Sequence, residues 1–127
     1  MNAANTISVL VVDDSAILRS VLVEYLSSQQ NMVVLGDYED GVQAVAQVIK
    51  MRPDVLLLDI SMPNLDGIGV LKILSALTLP TKTIVFTGYS DTDIKEQCYQ
   101  QGAYRCLEKG TPLSVISIAI QEAVDNV

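Results

Sequence analysis

The chain is 127 residues long and half hydrophobic, enough for one compact domain with its own core and no need of disulfides or a structural metal. A net charge of −7 argues against a nucleic-acid surface and leaves two readings of the acidity, diffuse or gathered at a cation site. With no histidine, imidazole catalysis and ordinary His-rich zinc sites are excluded.

The apolar run Ile7–Val12 reads as a buried strand. It passes straight into Asp13 and Asp14, far too short for a membrane span, and no basic segment precedes it as a signal peptide would require. Ile17, Leu18, Val21, Leu22, Tyr25 and Leu26 recur at helical spacing and predict the first helix. Met32–Leu35 predicts a short second strand closed by Gly36, with a turn at Glu39, Asp40 and Gly41. Val42, Val45, Ala46 and Ile49 supply the apolar stripe of the second helix. Pro53 stops it, and Val55–Leu58 is the most hydrophobic strand, ending at Asp59.

The loop Ser61-Met62-Pro63-Asn64 leads through Asp66 and Gly67 into a third helix carrying Val70, Leu71, Leu74 and Leu77. Thr83–Phe86 predicts the fourth strand, ending at Thr87. Asp91 or Thr92 caps a polar fourth helix that stops at Gly102, a natural C′ residue. Tyr104–Leu107 predicts the fifth strand, ending near Lys109. Thr111 as N-cap and Pro112 at the first helical position open the last helix. Cys98 and Cys106 lack metal-type spacing and read as reduced packing thiols of a cytoplasmic protein. Five strands alternating with five helices predict an α/β fold, a parallel sheet covered on both faces, in one domain over residues 1–127 with its core at about 6–125.

Asp13 and Asp14, Asp59, Thr87 and Lys109 each stand where an apolar strand ends. In a doubly wound sheet the carboxyl ends of parallel strands share one edge, where ligands bind, so these distant residues converge. Three carboxylates in a small space imply raised pKa values or a bound cation. Oxygen donors without imidazole or thiolate favour a hard ion, Mg²⁺ above all. A lysine and a hydroxyl beside it complement a phosphoryl group. Taken singly, an aspartate after a strand is ordinarily a turn or helix cap, Thr87 a turn residue, and Lys109 a solvated charge. Four such positions at four strand ends are much harder to reach by accident.

Val11-Val12-Asp13-Asp14-Ser15, Leu57-Leu58-Asp59-Ile60-Ser61-Met62-Pro63, Val85-Phe86-Thr87-Gly88 and Gly102-Ala103 with Lys109 resemble the receiver (response regulator) family of two-component systems, over about Ile7 to Val124. The resemblance implies the flavodoxin-like receiver fold with strand order 2-1-3-4-5, as in chemotaxis receivers. It implies Asp59 as phosphoacceptor. It implies Mg²⁺ held by Asp14, Asp59 and the Ser61 backbone carbonyl, with Asp13 completing the cluster through a metal-bound water. Thr87 would donate to the phosphoryl oxygen and Lys109 would pair with it. The phosphodonor would be a sensor histidine kinase, a phosphotransfer protein or a small phosphodonor, and the product a signalling state rather than a metabolite. The surface of the fourth helix, fifth strand and fifth helix would change on phosphorylation and serve a partner, a linked output domain or a homodimer, with no nucleic acid or membrane contact by this domain. A stand-alone receiver and the receiver of a longer regulator both remain open.

Departures from the family pattern are specific. Where many receivers carry Tyr or Phe three residues before the lysine, this chain has Cys106, which has no ring to swing. Tyr104, two residues earlier and so on the same strand face, is the candidate substitute. Gly110 replaces the common proline after the lysine and predicts a more mobile loop without a cis bond. Tyr89, two after Thr87, either shields an acyl phosphate from water or lies idle on the surface. In the last helix Leu113, Ile116, Ile120 and Ala123 form one stripe, while Val115, Ile118 and Ala119 fall elsewhere and suggest a contact face. Three rival readings fare worse. An aspartate-nucleophile phosphatase usually has a second aspartate where Ser61 stands. A flavodoxin-like cofactor binder would need a phosphate loop where Asp13 and Asp14 repel phosphate. A degenerate receiver would not retain all five site residues.

Overall fold

The computed structural model describes residues 6–62, 64–88 and 92–126. The elements run β1 (Ile7–Val12), α1 (Ala16–Ser27), β2 (Met32–Tyr38), α2 (Gly41–Met51), β3 (Val55–Asp59), α3 (Gly67–Leu77), β4 (Lys82–Thr87), α4 (Thr92–Gln100), β5 (Arg105–Glu108) and α5 (Leu113–Asp125). The five strands pair in parallel in the order β2-β1-β3-β4-β5. The predicted α/β architecture and strand order hold.

The three inner strands are continuous apolar runs because each buries both faces. Val9, Val11, Val55, Leu57, Ile84 and Phe86 join a core with α1 and α5 residues such as Leu22, Leu26, Ile116 and Ile120. The alternate residues Leu10, Val12, Leu56, Leu58 and Val85 join a second core with Ala44, Val48, Val70 and Leu71 of α2 and α3. Each of these leucines, fully buried, contributes about 1.5–3 kcal/mol. The sheet is therefore pinned from both sides, and its carboxyl edge becomes a rigid platform.

Several local expectations shift. β2 does not close at Gly36 but continues to Tyr38, because the pairing of Val9 with Val34 steps to Leu10 with Gly36, and the extra residue, Leu35, is bulged. In α2 the inward positions are Gly41, Ala44 and Val48, whereas Val42 and Ile49 are exposed. The cause is the start of the helix: Asp40 caps it by accepting from Gln43 N at 2.8 Å, and Gly41 sits so close to the Leu65 carbonyl that any Cβ would clash. That contact fixes the helix rotation. Leu77 of α3 and Ile17 and Val21 of α1 are likewise exposed. Ser15 caps α1, its side chain accepting from Leu18 N. Pro112 stands at the N-cap of α5 rather than at its first turn, and Thr111 Oγ1 donates back to Glu108 O at 2.6 Å.

Gly67 opens α3 directly behind the end of β3. A Cβ there would stand 2.7 Å from Ile60 Cα and 2.9 Å from Asp59 O. Gly67→Ala is expected to destabilise the protein by about 1–3 kcal/mol through forced displacement of that backbone. Gly88→Ala, which meets nothing within 4 Å, leaves the melting temperature essentially unchanged. Thermal unfolding followed by circular dichroism checks both.

Candidate phosphoryl and cation site

Four strand ends build the site. At β1, Asp13 N donates to Tyr38 O at 3.0 Å, carrying the pairing with β2 one residue past the strand. The Asp13 carboxylate then turns back to accept Ser15 N at 2.8 Å, so one aspartate both ends the strand and sets the start of α1. At β3, Ile60 N donates to Phe86 O at 3.0 Å and Gly67 N to Ile60 O at 2.9 Å, while Asp59 Oδ1 accepts Ser61 N at 3.2 Å. At β4 the Thr87 carbonyl accepts Lys109 N at 2.8 Å, which extends β4–β5 pairing and delivers the lysine to the edge.

The sequence-predicted residues meet there. Asp13, Asp59 and Thr87 are buried, at 2, 1 and 0 % exposure, and Asp14 is exposed. Asp13, Asp14 and Asp59 each bring one carboxylate oxygen within 4.8 Å of the others. Lys109 Nζ lies 3.2 Å from Asp59 Oδ1 and 3.8 Å from Asp13 Oδ2, half-exposed at the mouth of the site. Burial pushes the Asp59 carboxyl above its usual range and the Asp13 charge adds to this, against the Ser61 amide and Lys109. Burial also raises Asp13, opposed by the Ser15 amide and Lys109, with Asp14 adding to the rise. Asp59 Oδ2 is buried with no hydrogen-bond partner among the described residues. A buried carboxylate oxygen of this kind is costly unless something positive or protic meets it.

Arg19, not singled out by the sequence, braces this edge. Its Nη1 donates to the Asp13 carbonyl at 2.7 Å and its Nε to Asp37 Oδ2 at 3.0 Å, tying the β1–α1 loop to β2. Its only sequence signal is a position one turn into a helix that follows a paired aspartate.

The substitute aromatic proposed on β5 is not there. Tyr104 precedes the strand and packs with the α1–α5 core, its hydroxyl accepting from Asn126 at 2.8 Å, whereas Cys106 belongs to the α2–α3 core. The strand begins only at Arg105, so the period-2 rule does not extend back to Tyr104. Tyr99 of α4 meets Cys106 instead, its hydroxyl accepting Cys106 N at 3.0 Å. Gly110 follows Lys109 with φ of 96°, a conformation suited to glycine. Tyr89 and Asp91, with their shielding and capping roles, and Pro63 lie outside the described residues.

The family model of the response regulator receiver domain matches residues 9–121. A protein-glutamate methylesterase/protein-glutamine glutaminase of Myxococcus xanthus is 40 % identical over 115 residues, covering 90 % of this chain and 33 % of that protein. The corresponding Thermotoga maritima protein is 45 % identical over 85 residues, 67 % of this chain and 24 % of that protein. The chain thus spans a third or less of the length of these relatives. Among solved structures, the response regulator domain of Thermotoga maritima CheB superposes with a TM-score of 0.87 at 34 % identity, covering 94 % of this chain and 97 % of that one. A signal receiver domain from Mycobacterium tuberculosis, assigned to NarL, gives 0.93 at 30 % identity over 97 % of this chain and 99 % of that one.

Asp13 and Asp59 hold protons more tightly folded than unfolded. Their charge therefore costs stability in full above the raised folded values, and the cost is relieved as pH falls through those values toward the ordinary 3.8. Without divalent cations, lowering pH from about 8 into the mildly acidic range is expected to raise the melting temperature. Asp59→Asn removes one of the crowded charges. It is expected to raise the melting temperature at about pH 8 by ~3–6 °C, the shift of about 1 kcal/mol, and to flatten the pH dependence. A lower melting temperature for the variant would mean that the Lys109 pairing outweighs the crowding.

Proposed function

The chain belongs to the response regulator receiver family, and on that premise we propose that it is a phosphoacceptor switch whose Asp59 takes a phosphoryl group from a sensor histidine kinase, a phosphotransfer protein or a small phosphodonor. The observation that carries this is the Asp59 carboxylate itself. One oxygen is engaged by Ser61 N and Lys109, and the other, Oδ2, is buried without a hydrogen-bond partner among the described residues. Oδ1 fixes the orientation and Oδ2 is left to react or to bind.

The donor set fits a hard divalent cation. Three carboxylates converge with no imidazole and no thiolate among them, and the unpartnered Oδ2 points to a missing positive partner. Mg²⁺ would be held by Asp14 and Asp59 with the Ser61 carbonyl, and by Asp13 through water. When bound it supplies positive charge against the phosphoryl oxygens. The chain's own residues do the rest. An Asp59 oxygen forms a bond to phosphorus as the donor's bond to phosphorus breaks, giving an acyl phosphate that hydrolysis resets. Lys109 offsets the negative charge that gathers on the equatorial oxygens, and the Thr87 hydroxyl donates to one of them. Asp13 and Asp14 repel a phosphoryl group in the absence of the cation, so metal and phosphoryl are linked by charge.

In this reading residues 1–127 form a single receiver domain in the cytoplasm that catalyses nothing beyond its own phosphorylation and dephosphorylation. The methylesterase or glutaminase activity that its relatives are named for would belong to the two-thirds of those proteins that the chain does not match. The signalling surface is the α4–β5–α5 face. On α5, Val115 and Ile118 are 41 and 58 % exposed, whereas Ala119, grouped with them in the sequence, is buried in the inner stripe with Ile116, Ile120 and Ala123, and Leu113 is only partly buried. That face would meet a linked output domain, a partner or a second copy of the chain. Among the described residues no helix is long and apolar enough to cross a membrane.

Incubation with Mg²⁺ and acetyl phosphate is expected to add one phosphoryl group, about 80 Da by intact mass. The gain is absent with Asp59→Asn and falls at least about tenfold in rate with Lys109→Ala, whose cation is lost from the transition state. Equal labelling of the Asp59→Asn variant would place the acceptor elsewhere.

A further inference from the structure

Of the three converging carboxylates, Asp13 and Asp59 are buried and Asp14 is exposed, so the backbone must carry much of the placement of Asp14. Asp13 N donates to Tyr38 O at 3.0 Å, and the Asp13 carboxylate accepts Ser15 N at 2.8 Å. The Asp13 carbonyl, which belongs to the peptide joining Asp13 to Asp14, accepts Arg19 Nη1 at 2.7 Å. A peptide unit is planar, so a grip on that oxygen also orients the nitrogen and Cα of Asp14. Arg19 Nε is held in turn by Asp37 Oδ2 at 3.0 Å. The bulge in β2 brings Asp37 to this position. Met32 and Val34, before the bulge, face the α1–α5 core, whereas Tyr38, after it, faces the α2–α3 core. Simple alternation without the extra residue would send Asp37 to the α2–α3 face; with it, Asp37 stands on the α1 side with Arg19. The Asp37 side chain is 43 % exposed, too wet for the ion pair to add much stability, so its use is to aim the guanidinium.

We propose that Arg19 is a positioning residue of the cation site, gripping the Asp13–Asp14 peptide so that the exposed Asp14 carboxylate stays within reach of an ion shared with Asp59. The proposal rests on the cation site of the function proposed above and assigns its affinity to a residue that touches neither ion nor phosphoryl group. The fork of the guanidinium suits the task. Nη1 takes the carbonyl and Nε takes Asp37, two bonds at fixed angles from one rigid plane. A lysine would bring the same charge as a compact ammonium on a flexible stem, which does not hold two separate acceptors at fixed angles. Two effects of Arg19 on a cation oppose each other in sign. As a charge it repels the ion, and its removal strengthens binding; as a brace it preorganises the ligands, and its removal weakens binding. Bracing prevails, because the charge is already paired with Asp37 and partners that orient metal ligands from outside are worth about 10–100-fold in affinity.

The test titrates the whole chain with Mn²⁺, an oxygen-seeking stand-in for Mg²⁺, and reads the free ion by electron paramagnetic resonance. It is run where circular dichroism shows each variant folded, and Mg²⁺ is added at the end to displace the bound Mn²⁺. Arg19→Lys and Arg19→Ala are each expected to weaken Mn²⁺ binding about tenfold or more, and Asp37→Ala to weaken it in the same direction by about threefold or more. Lys82→Ala removes an equal charge at the opposite end of β4 and keeps the affinity of the unsubstituted chain. Unchanged affinity in Arg19→Lys, or tighter binding in Arg19→Ala, would overturn the proposal, since the residue would then act through charge or stability alone. If Arg19→Ala does not fold, Arg19→Lys and Asp37→Ala decide the matter by the same signs. Failure of the cation site itself looks different: the unsubstituted chain binds no Mn²⁺, or Asp14→Asn binds it equally well, and either result removes the proposal together with its premise. Labelling of Asp59 by acetyl phosphate, measured on the unsubstituted chain at saturating Mg²⁺, tests that premise separately.

Discussion

Three carboxylates crowd the carboxyl edge of a sheet buried on both faces, and Lys109 is the cation that meets two of them. Everything else in the chain can be understood as holding that arrangement against its own repulsion. Asp59 and Asp13 are almost fully removed from water, where an unpaired charge is costly, and Lys109 is only 3.2 Å from the first and 3.8 Å from the second. One lysine does not neutralise three acids, so the resting site keeps an unmet demand for positive charge. In the function proposed above a divalent cation would answer that demand, and the negative phosphoryl group could be received only beside it.

The scaffold meets this repulsion with backbone bonds rather than with bulk. Ser15 N and Ser61 N each occupy one oxygen of a buried aspartate, and Arg19 grips the Asp13 carbonyl while leaning on Asp37. Lys109 is placed by its own amide on the Thr87 carbonyl. Each side chain of the site therefore sits within one or two residues of a bond that registers its strand against a neighbour. The two cores above and below the sheet make that register stiff.

On the far side of β4 the chain departs from the common receiver pattern. A small thiol stands where an aromatic ring is usual, and the ring comes from α4 instead, with Tyr99 reaching over to the Cys106 amide. The same helix face carries Lys95 to Glu108. The helix is thus clasped to the edge strand by polar contacts that are individually weak in water. They add to the apolar packing that α4 shares, through Cys98 and Ile94, with α2 and α3 on the same face of the sheet.

The amino-acid sequence by itself determined the alternation of strands and helices, the parallel sheet and the convergence of Asp13, Asp14, Asp59, Thr87 and Lys109. Inner strands must be apolar throughout and active polar residues must follow their ends, so both signals are local and strong. Tertiary structure alone decided what depends on rotation and register. Nothing in the order of residues announces the bulge at Leu35, which let β2 run on past Gly36. The approach of Gly41 to the Leu65 carbonyl turned α2 so that Ala44 and Val48, not Val42 and Ile49, face inward. Tyr104 fell on the opposite side of the sheet from Cys106 because β5 starts one residue later than its pattern suggested. Arg19 and Tyr99 act through backbone atoms of residues that only the fold brings near. Periodicity records which residues prefer burial, but a helix with several apolar positions has more than one acceptable inner face, and the choice among them is made by the neighbour it packs against.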